Sequence, residues 1–105
     1  MHPLIEQHRP EIALLCQSYG VRRLEVFGSA ARSTDFDPDR SDVDFLVDFA
    51  RDSGLSALRQ YFGFAEELER LLGRSVDLVE RDAIEANRNY ILRRHILADA
   101  EPVYG

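Results

Sequence analysis

Apolar residues recur at three- and four-residue spacing from Pro3 to Tyr19: Leu4, Ile5, His8, Ile12, Leu15, Cys16 and Tyr19 share one helical face. This spacing predicts a helix over 3–19. Pro10 predicts a kink or a restart there, because proline lacks the N–H of an interior turn but suits a first turn. Gly20 ends the segment. The run VRRLEVF (21–27) is β-branched and aromatic and lies between Gly20 and Gly28, so it predicts a strand. Residues 29–34 predict a short helix, and DFDPDR (35–40) a loop.

The segment DVDFLVDF (42–49) alternates most clearly. Val43, Phe45, Val47 and Phe49 fall on one face; Asp42, Asp44 and Asp48 fall on the other. A second helix is expected over 56–72, with Leu58, Phe62, Ala65, Leu68 and Leu72 on its buried side. Gly63 weakens its middle by roughly 1 kcal/mol and marks a place for a break. Gly73 closes it. VDLVE (76–80) predicts a third strand, 87–100 a last helix, and PVY (102–104) a short terminal strand. The expected fold class is α+β, a layered α/β arrangement in which helices pack on a small mixed β-sheet of three to four strands.

At 105 residues the chain suits one domain, 1–105. No run of 18 apolar residues predicts a membrane span. The N-terminus has no basic stretch followed by an apolar block, so it does not read as a signal peptide. The one cysteine, Cys16, allows no internal disulfide, which fits a cytoplasmic location. The net charge of −6 argues against stable binding to a nucleic-acid backbone. All thirteen basic residues are arginine, which excludes lysine nucleophiles and a P-loop lysine.

Six aspartates lie between positions 35 and 48. One reading is a solvated acidic loop running into a strand. A calcium loop starting at Asp35 fits the first three ligand positions, then fails: Arg40 stands where the turn needs glycine, and Leu46 where a bidentate glutamate belongs. A third reading uses the strand. Asp42 and Asp44 point to one face with Cα atoms about 6.6 Å apart at ~3.3 Å per residue. They can share divalent ions, and two such ions can hold a triphosphate and an attacking hydroxyl in line. A third carboxylate is then needed, and Asp77 on the 76–80 strand can supply it; otherwise Asp77 is an edge aspartate facing water. Gly28 and Ser29 lie at the end of the first strand. There a glycine lets phosphate approach the backbone, and the hydroxyl and free N–H groups can hold it; alternatively, Ser29 is a plain N-cap.

Together FGSAAR (27–32), SDVDFLVDF (41–49) and VDLVE (76–80) resemble the DNA polymerase beta-like nucleotidyltransferase superfamily, and in particular its minimal nucleotidyltransferase (MNT) group. The resemblance implies that Asp42 and Asp44 bind two Mg²⁺ ions, that Asp77 binds one of them and helps activate the acceptor, and that Gly28 and Ser29 hold the phosphates of the ATP substrate. Arg32 is a further phosphate-binding candidate, or a surface ion-pair partner. Ser33 stands where the family often has glycine. MNT proteins of this size resemble antitoxins that transfer AMP from ATP to a tyrosine of a HEPN-domain toxin. The expected partner is therefore such a toxin, in a hetero-oligomer. Two alternatives stay open: a degenerate fold that neutralises its partner by occlusion, and transfer to RNA or a small molecule. The pair Arg88 and His95 superficially matches a HEPN ribonuclease site, but such sites belong to helical bundles, and this chain predicts three strands.

Overall fold

The computed structural model describes residues 2–28, 31, 42–86 and 88–105. The helix expected at 29–34 and the loop at 35–40 lie outside the described residues, except for Ala31.

The N-terminal helix divides at His8 into α1 (Pro3–Gln7) and α2 (Arg9–Ser18). Pro10 restarts rather than kinks it, lying in the first turn of α2 where no N–H is needed. The strands follow the hydrophobic pattern closely: β1 is Val21–Phe27, β2 Val43–Phe49, β3 Val76–Glu80 and β4 Glu101–Tyr104. Asp42 thus lies just before β2 rather than within it. The sheet order is β3-β2-β1-β4, with β1 antiparallel to both β2 and β4, and β2 parallel to β3. It is the mixed four-stranded sheet of an α+β fold.

The main core lies between one sheet face and the α1/α2 layer together with a later helix, α3 (Phe64–Leu72). Val43, Phe45 and Val47 of β2 meet Ile12 and Cys16 of α2 and Phe64 and Leu68 of α3, all fully buried. Burying a side chain of this size contributes about 1.5–3 kcal/mol before entropy is counted.

The helix expected over 56–72 departs from its predicted face. Arg59–Gly63 forms a π-helical turn, which holds more residues per turn than an α-helix and shifts the phase. Gln60 and Phe64 therefore face inward, while Leu58 and Phe62, expected to be buried, are 70% and 62% exposed. The Gln60 amide donates to the carbonyls of Tyr19 and Ala50, both at 3.1 Å, tying this turn to the ends of α2 and β2. Gly63 lies against Tyr19, where a Cβ would come within 2.6 Å of the ring.

The other sheet face carries two short helices. Here too the sequence reading needs correction: α4 (Arg81–Glu85) was not expected, and α5 begins at Tyr90 rather than 87, running to Asp99 with Asn89 as its N-cap. The Asn89 Oδ1 accepts from the Leu92 N–H at 3.1 Å. α4 packs on β2 and β3, and α5 on β1. Both sheet edges are covered in part. The Tyr61 hydroxyl donates to the Leu78 carbonyl on β3 at 2.8 Å, and Arg9 Nη2 donates to the Pro102 carbonyl on β4 at 2.8 Å. Pro102 also removes a donor from that edge, which discourages strand addition.

Candidate active site

The alternation of β2 that sends Val43, Phe45 and Val47 into the core turns Asp44 to the opposite face. Parallel pairing places Asp44 beside Asp77 of β3, in register. On the other side Asp44 pairs with Phe27, the last residue of β1, and Gly28 follows immediately. Three segments distant in sequence therefore meet at one point on the sheet.

Gly28 has φ +72, a left-handed backbone that glycine adopts without strain. A Cβ there would come within 2.8 Å of Asp44 Oδ2. The missing side chain keeps the approach to the Asp44 carboxylate open. Past this turn the Ala31 N–H donates to the Gly28 carbonyl at 3.1 Å. Ser29 and Arg32, the other phosphate-binding candidates, lie outside the described residues, as does Ser33.

The electrostatics mark the same point. The Asp44 carboxyl is pushed up to about 6, first by burial, then by the charge of Asp77, a side-chain hydrogen bond with Asp77, and the charge of Asp42. Without a counter-ion, two carboxyl groups this close favour sharing a proton. Asp77 is itself exposed, on the β3 edge of the sheet. Asp42 is also exposed.

Among the described residues, no three His, Cys, Asp or Glu side chains already form a metal-holding group. Asp44 and Asp77 meet, and Asp42 acts on Asp44 more weakly. The donor set nonetheless suits a hard divalent cation: oxygen ligands only, like charges crowded together, and an approach kept clear by Gly28.

Asp48, the third acid on this face, stands apart from the pair. It lies towards the far end of β2, opposite Arg23, with Arg22 Nε at 3.7 Å. Glu25 is a supporting residue that the sequence reading missed. It is 6% exposed on β1, paired in register with Leu46, and held by Arg81 at the start of α4 and by Arg23 at 3.4 Å. The signal was an acid at the centre of an otherwise apolar half-strand, LEVF, which needs a cationic partner if buried. Arg88 and His95 are both exposed, one ahead of α5 and the other within it.

The nucleotidyltransferase domain model matches residues 11–98, spanning α2 to α5 and all the residues of this site. The protein adenylyltransferase MntA of Thermococcus cleftensis is 35% identical over 83 residues, covering 79% of this chain and 76% of that one. A structure solved as a minimal nucleotidyltransferase aligns with a TM-score of 0.73 and 31% identity, covering 97% of this chain and 96% of that one. A structure of a tri-AMPylated Shewanella oneidensis HEPN toxin in complex with an MNT antitoxin holds a chain with the same fold, at a TM-score of 0.62 and 18% identity, covering 96% of this chain and 72% of that one. No helix among the described residues is long and apolar enough to cross a membrane. The carboxylate pair on adjacent parallel strands, the glycine turn beside it, and these matches agree: the chain belongs to the nucleotidyltransferase domain family, among its minimal members.

Proposed function

We propose that this nucleotidyltransferase transfers AMP from ATP to a tyrosine hydroxyl of a HEPN-domain toxin and acts as its antitoxin. The observation that carries the reading is the meeting of Asp44 and Asp77 in register beside Gly28. It is supported by the name of the Thermococcus relative and by the AMPylated toxin in the Shewanella complex.

In the transfer, the acceptor oxygen forms a bond to the α-phosphorus, the bond from that phosphorus to the bridging oxygen breaks, and pyrophosphate leaves. Asp42, Asp44 and Asp77 would hold Mg²⁺, which when bound neutralises phosphate charge and lowers the pKa of a coordinated hydroxyl. Tyrosine ionises near pKa 10, closer to neutrality than serine or threonine, so it is the easier acceptor. Gly28 admits the triphosphate to the backbone, with Ser29 and Arg32 as further phosphate-binding groups. Asp77, more exposed than Asp44, stands where an acceptor can arrive from solvent, and takes up the hydroxyl proton.

The test is intact-mass spectrometry of a co-expressed HEPN toxin after incubation with ATP and Mg²⁺. Wild type should add one or more AMP units, and Asp77→Ala none. Labelling by Asp77→Ala at the wild-type rate would remove Asp77 from the chemistry. Neutralisation of the toxin without any labelling would establish occlusion instead.

A further inference from the structure

Helix α5 carries four aliphatic residues, Ile91, Leu92, Ile96 and Leu97, yet among its described side chains none is buried. Ile96 and Leu97 are half-buried, whereas Ile91 is 68% exposed and Leu92 45%. Ile91, Arg94, His95 and Ala98 recur at three- and four-residue spacing, and all four are exposed, so they form one solvent-facing stripe. They border a cavity of about 410 Å³ that the small Ala98 does not fill. The helix spans about 15 Å at 1.5 Å per residue.

The charge of this stripe is one-sided. The stretch 86–98 holds three of the thirteen arginines and none of the nineteen acids, in a chain whose net charge is −6. Arg88, just ahead of the helix, and Arg94 are both exposed, and neither is in an ion pair among the described residues. Arg93 donates to the backbone carbonyl of Glu85 at 3.2 Å, which ties α5 to α4. The nearest acid in sequence, Asp99, stands at the far end of the helix, half-buried and already engaged.

A stripe of isoleucine and leucine flanked by uncompensated arginine matches a helix with an apolar ridge and carboxylates beside it. A second copy of this chain does not match, since pairing α5 with itself sets Arg94 against like charge. Nor does a nucleic acid, which gains nothing from Ile91 and Leu92 and meets a net negative chain. We infer that the exposed face of α5 docks an acidic amphipathic helix of a partner protein. Past Asp99 the chain passes into β4, where Glu101 pairs with Val26, next to the Phe27 that faces Asp44. A partner laid along α5 is therefore led towards Asp44, although the docking itself does not rest on the transfer reaction.

The experiment uses two synthetic helical peptides of about twelve residues. They share one leucine ridge; the flanks are glutamate in one and arginine in the other. Binding is read by fluorescence anisotropy and located by ¹H–¹⁵N shift mapping on the intact protein. The glutamate peptide should bind, with shifts centred on Ile91, Arg94 and Ala98, and binding should weaken with added salt. Ile91→Asp, at an exposed position, should lower affinity about tenfold or more, while Leu14→Asp, an exposed leucine on α2, should leave it unchanged. Arg94→Glu should erase the preference for the glutamate peptide. An unchanged urea midpoint for each variant shows that the fold is kept. Equal binding of both peptides, shifts centred elsewhere, or no binding by wild type would overturn the inference. So would a wild-type dimer that Ile91→Asp converts to monomer, or α5 shifts produced instead by an RNA oligonucleotide or by anionic phosphatidylserine vesicles.

Discussion

Asp44 and Asp77 face each other across the parallel pairing of β2 and β3, close enough to share a hydrogen bond. The arrangement opposes stability in the absence of a cation, since ionising Asp44 places a partly buried negative charge beside Asp77. Asp44 holds its proton up to about pH 6 in the folded chain, against an ordinary value of 3.8. The folded state thus binds more protons than the unfolded state between these values, and stability must fall as pH rises through that window. Below about pH 4 both states are protonated and the contribution is fully present. Asp44→Asn should remove this component and raise metal-free stability at pH 7 by roughly 1 kcal/mol, allowing for solvent screening of a half-exposed group. Urea melts of both proteins from pH 4 to 8 measure it, and parallel profiles would refute the coupling.

Divalent ions should reverse this cost. A cation that binds only the folded chain stabilises it by about 2.7 kcal/mol at a hundredfold excess over Kd. Thermal melts with Mg²⁺ or Mn²⁺ should show a rise in Tm that is lost in Asp44→Asn and reduced in Asp77→Asn. An equal rise in all three proteins would mean that the ions bind elsewhere.

Much of this site was legible in the sequence because a strand has a period of two. The alternation from Val43 to Phe49 fixed the face of Asp44, and VDLVE supplied a second strand with an acid at the matching place. The helical layer was less legible. The exposure of Leu58 and Phe62 follows from the π-helical turn, which depends on Gln60 reaching the carbonyls of Tyr19 and Ala50, contacts 41 and 10 residues apart that no local pattern carries. Helix α4 was missed for a related reason. At five residues it is too short for a periodicity, and it is held through Arg81 to Glu25, 56 residues away.

Gly63 tests that reading of the π-helical turn. On helix propensity alone, Gly63→Ala should stabilise by up to about 1 kcal/mol. The added methyl would instead meet the Tyr19 ring at 2.6 Å. Overpacking of this kind costs about 1–3 kcal/mol, so net destabilisation is expected, with partial recovery on adding Tyr19→Leu. A stabilised Gly63→Ala variant would show that α2 and the π-helical turn are not tightly packed there.

Glu25 should be among the costlier single sites. It is buried between Arg81 and Arg23, while Arg81 also keeps Glu85 at 3.0 Å, so removing Glu25 costs a buried ion pair without leaving either arginine wholly unmatched. Glu25→Ala should destabilise by about 1–3 kcal/mol, while the double variant Glu25→Leu, Arg81→Met should recover most of the loss. Chemical denaturation of the single and double variants distinguishes these outcomes. A loss below about 1 kcal/mol for Glu25→Ala would place the pair in effectively open solvent.

Gly28 separates backbone strain from crowding at the site. Gly28→Ala combines two effects: a left-handed φ of +72, which costs an L-residue about 1–2 kcal/mol, and a Cβ within 2.8 Å of Asp44 Oδ2. Gly54 has φ +82 but no atom within 4 Å of an added Cβ, so Gly54→Ala carries the strain without the crowding. Both variants should lose the stability that the strain costs, Gly28→Ala the more of the two. Only Gly28→Ala should displace the Asp44 carboxylate, lowering turnover about a hundredfold, as ångström-scale misplacement of a catalytic group does. It should also shrink the Tm gain from Mg²⁺, which Gly54→Ala should retain. Steady-state transfer and thermal melts on the two variants provide the comparison. If both lose turnover equally, fold strain rather than access to Asp44 explains the effect, and the open approach at Gly28 has no catalytic meaning.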